Sequence, residues 1–242
     1  MKPLVIVGSA LLVSLGLGCG GGGSSSSPST PSSPSPPSAP TGGTVSVYVA
    51  SDRSVGFSSS DPSANARMEP VSYYISVGQV FQTVQDKRYA HATASALKFD
   101  LPAQITGRTV TKATLRLTVY EVRRDIEGNG PTATMAIQLR ANAFTTNWDP
   151  ASTSWNVWTS LGYQSDGEAR AAAPTSLATP VDFDVTTTVR NWASGAWKNY
   201  GLRLAADTYS DPGGDSYGIS NFYSSARHER TEQRPQLIIE YQ

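Results

Sequence analysis

Apolar and polar residues alternate along most of the chain from Thr44 onward. In 96–101, for example, Leu97, Phe99 and Leu101 are separated by Lys98 and Asp100. A period of two places successive side chains on opposite faces of a strand, so each such segment buries one face. The pattern predicts strands in these segments: 44–49, 96–101, 113–122, 134–140, 181–185, 201–205 and 236–241.

One segment has a different period. Its apolar residues recur at helical spacing, at Val185, Val189 and Trp192. Asp184 or Thr186 could cap the start of a helix, and Gly195 could end it. The pattern predicts a short helix that packs through Trp192 against the end of a sheet structure.

Many one-sided strands with little helix indicate two antiparallel sheets packed face to face. The predicted fold class is therefore an all-β, jelly-roll-like sandwich with one short helix. Breaks rich in Gly, Pro and Asn separate the strands, for example 129–131 and 211–214. The composition agrees, because 21 Gly, 16 Pro and only 16% charged residues suit short strands joined by turns.

The first 18 residues are typical of an export signal, with Lys2 at the start, an apolar run and small residues before Cys19. The run is shorter than the roughly 20 residues that a membrane-spanning helix needs. Leu15-Gly16-Leu17-Gly18-Cys19 resembles the lipobox of bacterial lipoproteins, whose cysteine becomes the acylated N-terminus. The resemblance implies lipidation of Cys19, and Gly20 after it implies sorting to the outer membrane. An ordinary secretory signal is the alternative.

Residues 19–43 form the second predicted segment, a lipidated cysteine and a linker of mostly Gly, Ser, Pro and Thr. A segment with so little to bury is predicted to be a disordered tether. Extended at about 3.1 Å per residue, its two dozen residues could hold a domain up to roughly 70 Å from a bilayer. The remaining residues, 44–242, form the predicted sandwich domain, held at the cell surface or secreted.

The charge of the chain limits its partners. It has 19 basic and 19 acidic residues, so no net field attracts nucleic acid or an anionic membrane. We expect no nucleic-acid partner and no membrane contact except through the lipid. Because Cys19 is the only cysteine, no intramolecular disulfide forms and no Cys/His cluster suits zinc.

Several spaced motifs resemble the DNRLRE-domain family. Segments 96–101 and 112–117 are similar to its opening hairpin, and Asn147-Trp148 with Thr153-Ser154-Trp155-Asn156 is similar to its paired tryptophan segment. Segment 183–187 with Val189 and Trp192 is similar to its aspartate-valine-threonine turn and helix, 199–202 to the strand after it, and 222–225 and 234–237 to its closing strands. The similarity runs from about Leu97 to Tyr241.

Members of this family resemble carbohydrate-binding module family 96, whose characterised examples bind acidic polysaccharide such as alginate. The resemblance therefore implies binding or adhesion at the cell surface. The predicted function is a non-catalytic, cell-surface lipoprotein module that binds acidic polysaccharide. The alternative is a structural adhesion or assembly module that contacts other envelope proteins.

Alternation also suggests a binding face. Eight apolar residues of these strands are predicted to point inward: Leu97, Phe99, Leu115, Leu117, Ile137, Leu139, Leu202 and Leu204. Their polar neighbours then point outward: Lys98, Arg116, Gln138, Arg140 and Arg203. Guanidinium groups pair with carboxylates in bidentate geometry, so such a row is predicted to bind uronate sugars. We expect Arg116 to lie in a hairpin with Gln138 or Arg140. A solvated strand face paired with Asp100 or Glu121 is the alternative.

The tryptophans divide into two groups. Trp148, Trp155 and Trp192 lie inside the family motifs and are predicted to be core residues. Trp158 and Trp197 lie in less constrained segments and are the candidates for stacking on sugar rings.

Three aspartates suggest a metal site. Asp207, Asp211 and Asp215 could together hold a structural Ca²⁺, which prefers carboxylate oxygens. The alternative is that aspartate is simply a favoured turn residue.

Segment 214–218 matches the Gly-x-Ser-x-Gly nucleophile pattern of serine hydrolases. That motif needs a strand before it and a helix after it, but here a turn precedes it and a strand-like segment follows. We therefore expect no catalytic residue and no required cofactor.

Overall fold

The computed structural model describes residues 42–59, 73–125, 138–174, 176–177, 180–207 and 216–242. All of them belong to one compact unit, which runs from Pro40 to Gln242. The predicted signal peptide, Cys19 and nearly all of the predicted linker lie outside the described residues. The strand elements of the described chain are β1 (Gly43–Tyr48), β2 (Ser51–Ser58), β3 (Tyr74–Val84), β4 (Lys87–Lys98), β5 (Val110–Leu117), β6 (Val119–Asp125), β7 (Gln138–Ala143), β8 (Ala169–Ala172), β9 (Val181–Asp184), β10 (Leu202–Ala206), β11 (Ser216–Ser224) and β12 (Gln236–Tyr241). The α-helices are α1 (Trp155–Ser160) and α2 (Thr186–Ala193), and two short 3-10 helices span Ala103–Ile105 and Thr231–Gln233.

The strands form two antiparallel sheets. The smaller sheet has the order β1-β12-β5-β9, and Gly43 of β1 lies opposite Tyr241 of β12. The larger sheet has the order β6-β11-β3-β4-β10-β7-β8, with β2 also paired to β4. The prediction of an all-β, two-sheet sandwich with little helix is confirmed.

The larger sheet curls along β4. Because β2 pairs with β4 from Ser51 to Ser58, β3 and β10 must share the other edge of β4. Where β3 bends away, the Ser76 amide donates to Ser54 Oγ (3.0 Å) and the Ser76 carbonyl accepts from Ser95 Oγ (2.8 Å). All three serines are buried, so these side chains satisfy backbone groups that the ladder leaves free.

The main core lies between the two sheets and follows the predicted alternation. The predicted inward residues Leu97, Phe99, Leu115, Leu117, Leu139, Leu202 and Leu204 are all buried in one cluster, and Ile137 lies outside the described residues. Each fully buried side chain of this size contributes roughly 1.5–3 kcal/mol. Strand alternation therefore accounts for the inner faces of both sheets.

Helix α2 closes one side of this core, as the spacing of its apolar residues predicts. Val189 and Trp192 are buried in the main core. The Asp184 carboxylate accepts a hydrogen bond from the Thr186 amide (3.0 Å) at the start of the helix, and Gly195 follows its end with a φ of 76°. Glycine adopts a positive φ more readily than other residues, which is why it is common just after the end of a helix.

A second apolar cluster lies on the opposite face of the larger sheet, which we call the outer face. It contains Val55, Ala94, Ala96 and Ala205 from the strands, covered by Phe144, Trp148 and Trp158. Trp158 belongs to the six-residue helix α1, which begins after Ser154. The Ser154 Oγ accepts a hydrogen bond from the Val157 amide. The outer face is therefore partly covered by apolar side chains, which alternation does not predict.

Some elements were not predicted: β2, β3, most of β4, β8 and α1. β3 and β4 join through a two-residue turn at Gln85 and Asp86, with φ values of 49° and 61°. Ser216, the serine of the Gly-x-Ser-x-Gly pattern, begins β11, so a strand follows it where a nucleophile elbow has a helix. No helix among the described residues is long and apolar enough to cross a membrane.

Candidate functional site

A cleft of about 240 Å³ opens on the outer face of the larger sheet, beside α1. Its floor consists of small residues from β3, β4 and β10: Gly78, Ala92, Ala94, Ala205 and Ala206. Its walls include Trp155 and Trp158 from α1, Arg140 from β7 and Arg203 from β10. We call it the arginine cleft. The small floor residues leave the space that a larger side chain would fill.

The register of the strands places the two arginines on the same face. Arg203 lies opposite Ala96 on one side and Asn142 on the other, and Arg140 lies opposite Ala205. Directly opposite residues of an antiparallel pair point to the same side of the sheet. Both arginines therefore project from the outer face, as alternation predicts.

Arg203 is held by aromatic rings and makes no ion pair with another described residue. Its guanidinium carbon lies 4.1 Å from the ring centre of Trp158 and 4.4 Å from that of Tyr163. One terminal nitrogen is buried and has no hydrogen-bond partner in the described part of the chain. Burial lowers the pKa of Arg203, but an arginine remains charged at physiological pH. The result is a fixed cation with an unused donor.

Arg140 belongs to an ion-pair network at the edge of the cleft. Its Nε lies 2.7 Å from Asp207 Oδ1, and Asp207 Oδ2 lies 2.9 Å from Arg170 Nη1. Glu168 accepts from Asn142 (3.1 Å) and from Arg170 (2.8 Å). Arg140 is therefore largely neutralised by Asp207, whereas Arg203 has no carboxylate partner among the described residues.

The network bears on the predicted calcium site. The Asp207 carboxylate is engaged by Arg140 and Arg170, two cations that a bound Ca²⁺ would have to displace. Asp211 and Asp215 lie outside the described residues. Among the described residues there is no cluster of three His, Cys, Asp or Glu side chains that could hold a metal ion.

Lys98 and Gln138 also lie on the larger sheet. Lys98 follows Ala96 by two residues and so shares the outer face, but its ammonium donates to the Trp148 carbonyl (2.8 Å) and to Asn147 Oδ1 (3.0 Å). It therefore fixes the segment before α1. Gln138 lies opposite Ala172 at the β7–β8 edge of the sheet, two residues from Arg140.

Arg116 is not part of this face, and the predicted hairpin with Gln138 or Arg140 is wrong. β5 pairs with β12 and β9 in the smaller sheet, on the other side of the main core. Arg116 is exposed there and binds Asp182 through two hydrogen bonds of 2.8 and 2.7 Å. The structure thus separates Arg116 from the other four predicted residues.

The tryptophans are placed differently from the stacking prediction. Trp158 is only 3% exposed, since it packs on the sheet, stacks on Trp155 with ring centres 5.4 Å apart and contacts Arg203. It is therefore not the exposed platform that the prediction requires. Trp155 is half-buried between Trp158 and Phe57. Trp148 and Trp192 are buried, as predicted.

Trp197 lines a second cleft of about 200 Å³, together with Phe144, Thr145, Gln164, Lys198 and Tyr200. We call it the Trp197 cleft. Trp197 is half-buried and its ring packs against the edge of the main core. Because Trp197 lines a cleft and is only half-buried, the prediction that it stacks on a sugar ring can be tested by substitution.

Sequence reasoning missed the residues that build the arginine cleft: Trp155, Tyr163 and the small floor residues. Trp155 and Trp158 are three residues apart after Ser154, a serine cap followed by an apolar i, i+3 pair. That signal for a short helix was present in the sequence. The floor had no such signal, because it combines residues from β3, β4 and β10.

Comparison with known proteins gives one family match. The model of carbohydrate-binding module family 96 matches residues 80–241, which is more than half of the chain. The match begins within β3 and includes all lining residues of both clefts except Gly78 and Gln79 of the arginine cleft. No curated protein matches the chain.

Proposed function

The chain belongs to carbohydrate-binding module family 96, and from this membership we propose that it binds acidic polysaccharide, without catalysis, in the arginine cleft. The volume of about 240 Å³ is slightly below the range of drug-sized pockets, about 300–1,000 Å³. It suits one sugar unit of a polymer whose other units lie outside.

The environment of Arg203 supports this proposal most directly. Its guanidinium is confined by the rings of Trp158 and Tyr163, and one of its buried nitrogens lacks a partner among the described residues. A uronate carboxylate would supply the missing acceptor and match the planar fork of a guanidinium. Little ordering is needed, because the rings already fix the arginine.

The walls and floor complement the sugar ring. Trp155 and Trp158 provide apolar surface beside the cation, and the alanine floor contributes no bulky side chain. Sugar rings combine apolar C–H surface with polar substituents, so a pocket of mixed character favours them over a simple anion. Arg140, already paired with Asp207, contributes a weaker positive field at the rim.

The test is calorimetric titration of the purified chain with a polyuronate and with a neutral glucan. We expect saturable binding of the polyuronate only. Arg203→Gln removes charge-assisted hydrogen bonds worth about 1.5–3 kcal/mol, so its affinity should fall about 10- to 100-fold. Arg203→Lys keeps the charge without the fork and should give an intermediate loss.

Arg116→Gln is the matched control, since Arg116 is an exposed, carboxylate-paired arginine on the other sheet. Its affinity should stay within about twofold of the original chain, because its surface charge is already balanced. Equal losses for Arg116→Gln and Arg203→Gln would indicate nonspecific charge attraction and contradict a site in the cleft. Equal binding of the neutral glucan would contradict specificity for acidic sugars, and capture of an envelope protein without glycan binding would favour an assembly module.

The proposal includes the absence of catalysis. Incubation of the chain with the same polyuronate should produce no new reducing ends and no unsaturated sugars. Turnover that persists through purification would contradict a purely binding role.

We also propose that the module is displayed at the cell surface by a lipid on Cys19, with 20–43 as its tether. More than one acyl chain is needed for stable anchoring, which a lipidated N-terminal cysteine supplies. Cells fed a labelled fatty acid should label the chain, and Cys19→Ser should abolish the label and release the chain from the membrane fraction. Unlabelled but membrane-bound protein would contradict this mode of attachment.

A further inference from the structure

The Trp197 cleft is lined by several residues whose polar side-chain groups have no partner in the described part of the chain. Within the described part of the chain, the following side-chain groups make no hydrogen bond or ion pair: the Trp197 indole N–H, the Lys198 ammonium, the Gln164 amide and the Tyr200 hydroxyl. They line one concavity of about 200 Å³ together with aromatic surface. A concave site with aromatic surface and a few converging polar groups is typical of a ligand pocket.

Backbone contacts hold both walls of this cleft in place. The Trp197 amide donates to the Asn191 carbonyl (3.1 Å) just after α2 ends, which fixes the loop that carries Trp197 and Lys198. On the other wall, the Thr145 amide donates to the Gly162 carbonyl (2.9 Å). A Cβ at Gly162 would overlap Thr145 Oγ1, so a larger residue there would force the Thr145 side chain to move.

Contacts of Phe144 and Tyr163 connect the linings of the two clefts. Phe144 lines the Trp197 cleft and packs in the same apolar cluster as Trp158, which lines the arginine cleft. Phe144 also forms an isolated antiparallel bridge with Tyr163, whose ring contacts Arg203. The Phe144–Tyr163 pair therefore connects the two clefts.

We propose that the Trp197 cleft is a second sugar subsite, which takes another anionic sugar unit of the polysaccharide chain held by Arg203. This inference rests on the function proposed above. Trp197 would contact the apolar face of the sugar ring, and Lys198 would pair with its carboxylate as a point charge. Gln164 and Tyr200 would bind hydroxyl groups.

Two linked subsites make affinity depend on chain length. Once one unit is bound, the second binds at a high effective concentration, which can raise affinity about 10²- to 10⁴-fold without any new kind of contact. An oligomer too short to span the Phe144–Tyr163 pair gains nothing. We therefore expect a step in affinity at the length that first occupies both clefts.

The experiment measures dissociation constants for a series of oligouronates of increasing length. The original chain should show a step of about 100-fold or more. Trp197→Ala and Lys198→Gln should each reduce that step at least about tenfold and leave the affinity for the shortest oligomers within twofold. Lys198→Gln changes an exposed side chain, so it tests the subsite even if Trp197→Ala fails to fold.

Tyr48→Ala is the matched control, because Tyr48 is an exposed aromatic residue on β1 of the smaller sheet. It should leave the entire series unchanged. If the affinity step survives in both Trp197→Ala and Lys198→Gln, the second subsite is overturned. If Arg203→Gln still weakens the binding of oligomers of every length, the proposed function remains intact. Loss of short-oligomer binding in the two variants would also overturn the second subsite, by making this cleft the primary site. No uronate binding by the original chain would refute the proposed function itself.

Discussion

Trp158→Ala tests whether Trp158 is a packing residue or a ligand platform. Trp158 is 3% exposed and covers the alanine-rich outer face of the larger sheet. A buried tryptophan removes about 150–250 Å² from water, which at about 25 cal/mol per Å² corresponds to about 4–6 kcal/mol. Because this area is measured against a fully extended chain, it is an upper value. We expect the free energy of unfolding to fall by about 3–5 kcal/mol.

The assay is urea-induced unfolding, followed by tryptophan fluorescence and circular dichroism so that two probes report the same transition. Val157→Ala is the matched control, because Val157 lies in the same helix but is 44% exposed. It should change stability by no more than about 0.5 kcal/mol. A loss below about 1 kcal/mol for Trp158→Ala would refute the packing role of Trp158.

Three other substitutions test particular contacts. Gly201→Ala should lower the free energy of unfolding by more than about 1 kcal/mol, since φ is 93° and a Cβ would overlap the Leu97 carbonyl; an unchanged melting temperature would contradict this. Burial raises the pKa of the Asp52 carboxyl, although the Ala226 amide opposes the shift, so its neutral form is favoured on folding. Asp52→Asn should therefore be more stable than the original chain at neutral pH, and denaturation curves should converge as the pH falls through the raised pKa toward 3.8. Desolvation alone would raise the pKa of Glu168, but hydrogen bonds from Asn142 and Arg170 lower it overall, so Glu168→Gln should destabilise above pH 4.5 and the difference should vanish as the pH falls through the lowered pKa; a constant difference would be contrary evidence.

The elements that sequence alone predicts are those with strong local periodicity. β5, β9, β10 and β12 alternate cleanly, and α2 has apolar residues at helical spacing with a glycine at its end. Each of these segments buries one face against the main core, so the order of apolar and polar residues is enough to predict which side chains are buried.

The remaining elements depend on tertiary context. The second half of β4 has small residues on its outer face because α1 covers it, and β3 is held partly by serine side chains where the sheet bends. α1 is too short to be stable alone, so its formation depends on packing of Trp158 against the sheet. Local sequence therefore gave too little information to place these elements.

The candidate site was only half predictable for a similar reason. Alternation correctly placed Arg140 and Arg203 on an outward face, because facing is a property of each strand by itself. Which strands become neighbours is not encoded in alternation, so Arg116 was assigned to the wrong sheet. Trp158 looked like a surface residue because its covering role depends on the alanines beneath it.

The pairing of β1 with β12 brings the two ends of the described domain together. Gly42 lies against Tyr241, and the Gln242 amide donates to the Thr109 carbonyl beside it (2.9 Å). A short peptide joining these ends would turn the most distant strand pairing in the chain into a local hairpin. New termini could be opened at the Gln85–Asp86 turn. Such a circularly permuted chain makes the β1–β12 ladder local and the β3–β4 ladder distant in sequence, so it should reach the same two sheets through a different order of strand pairing.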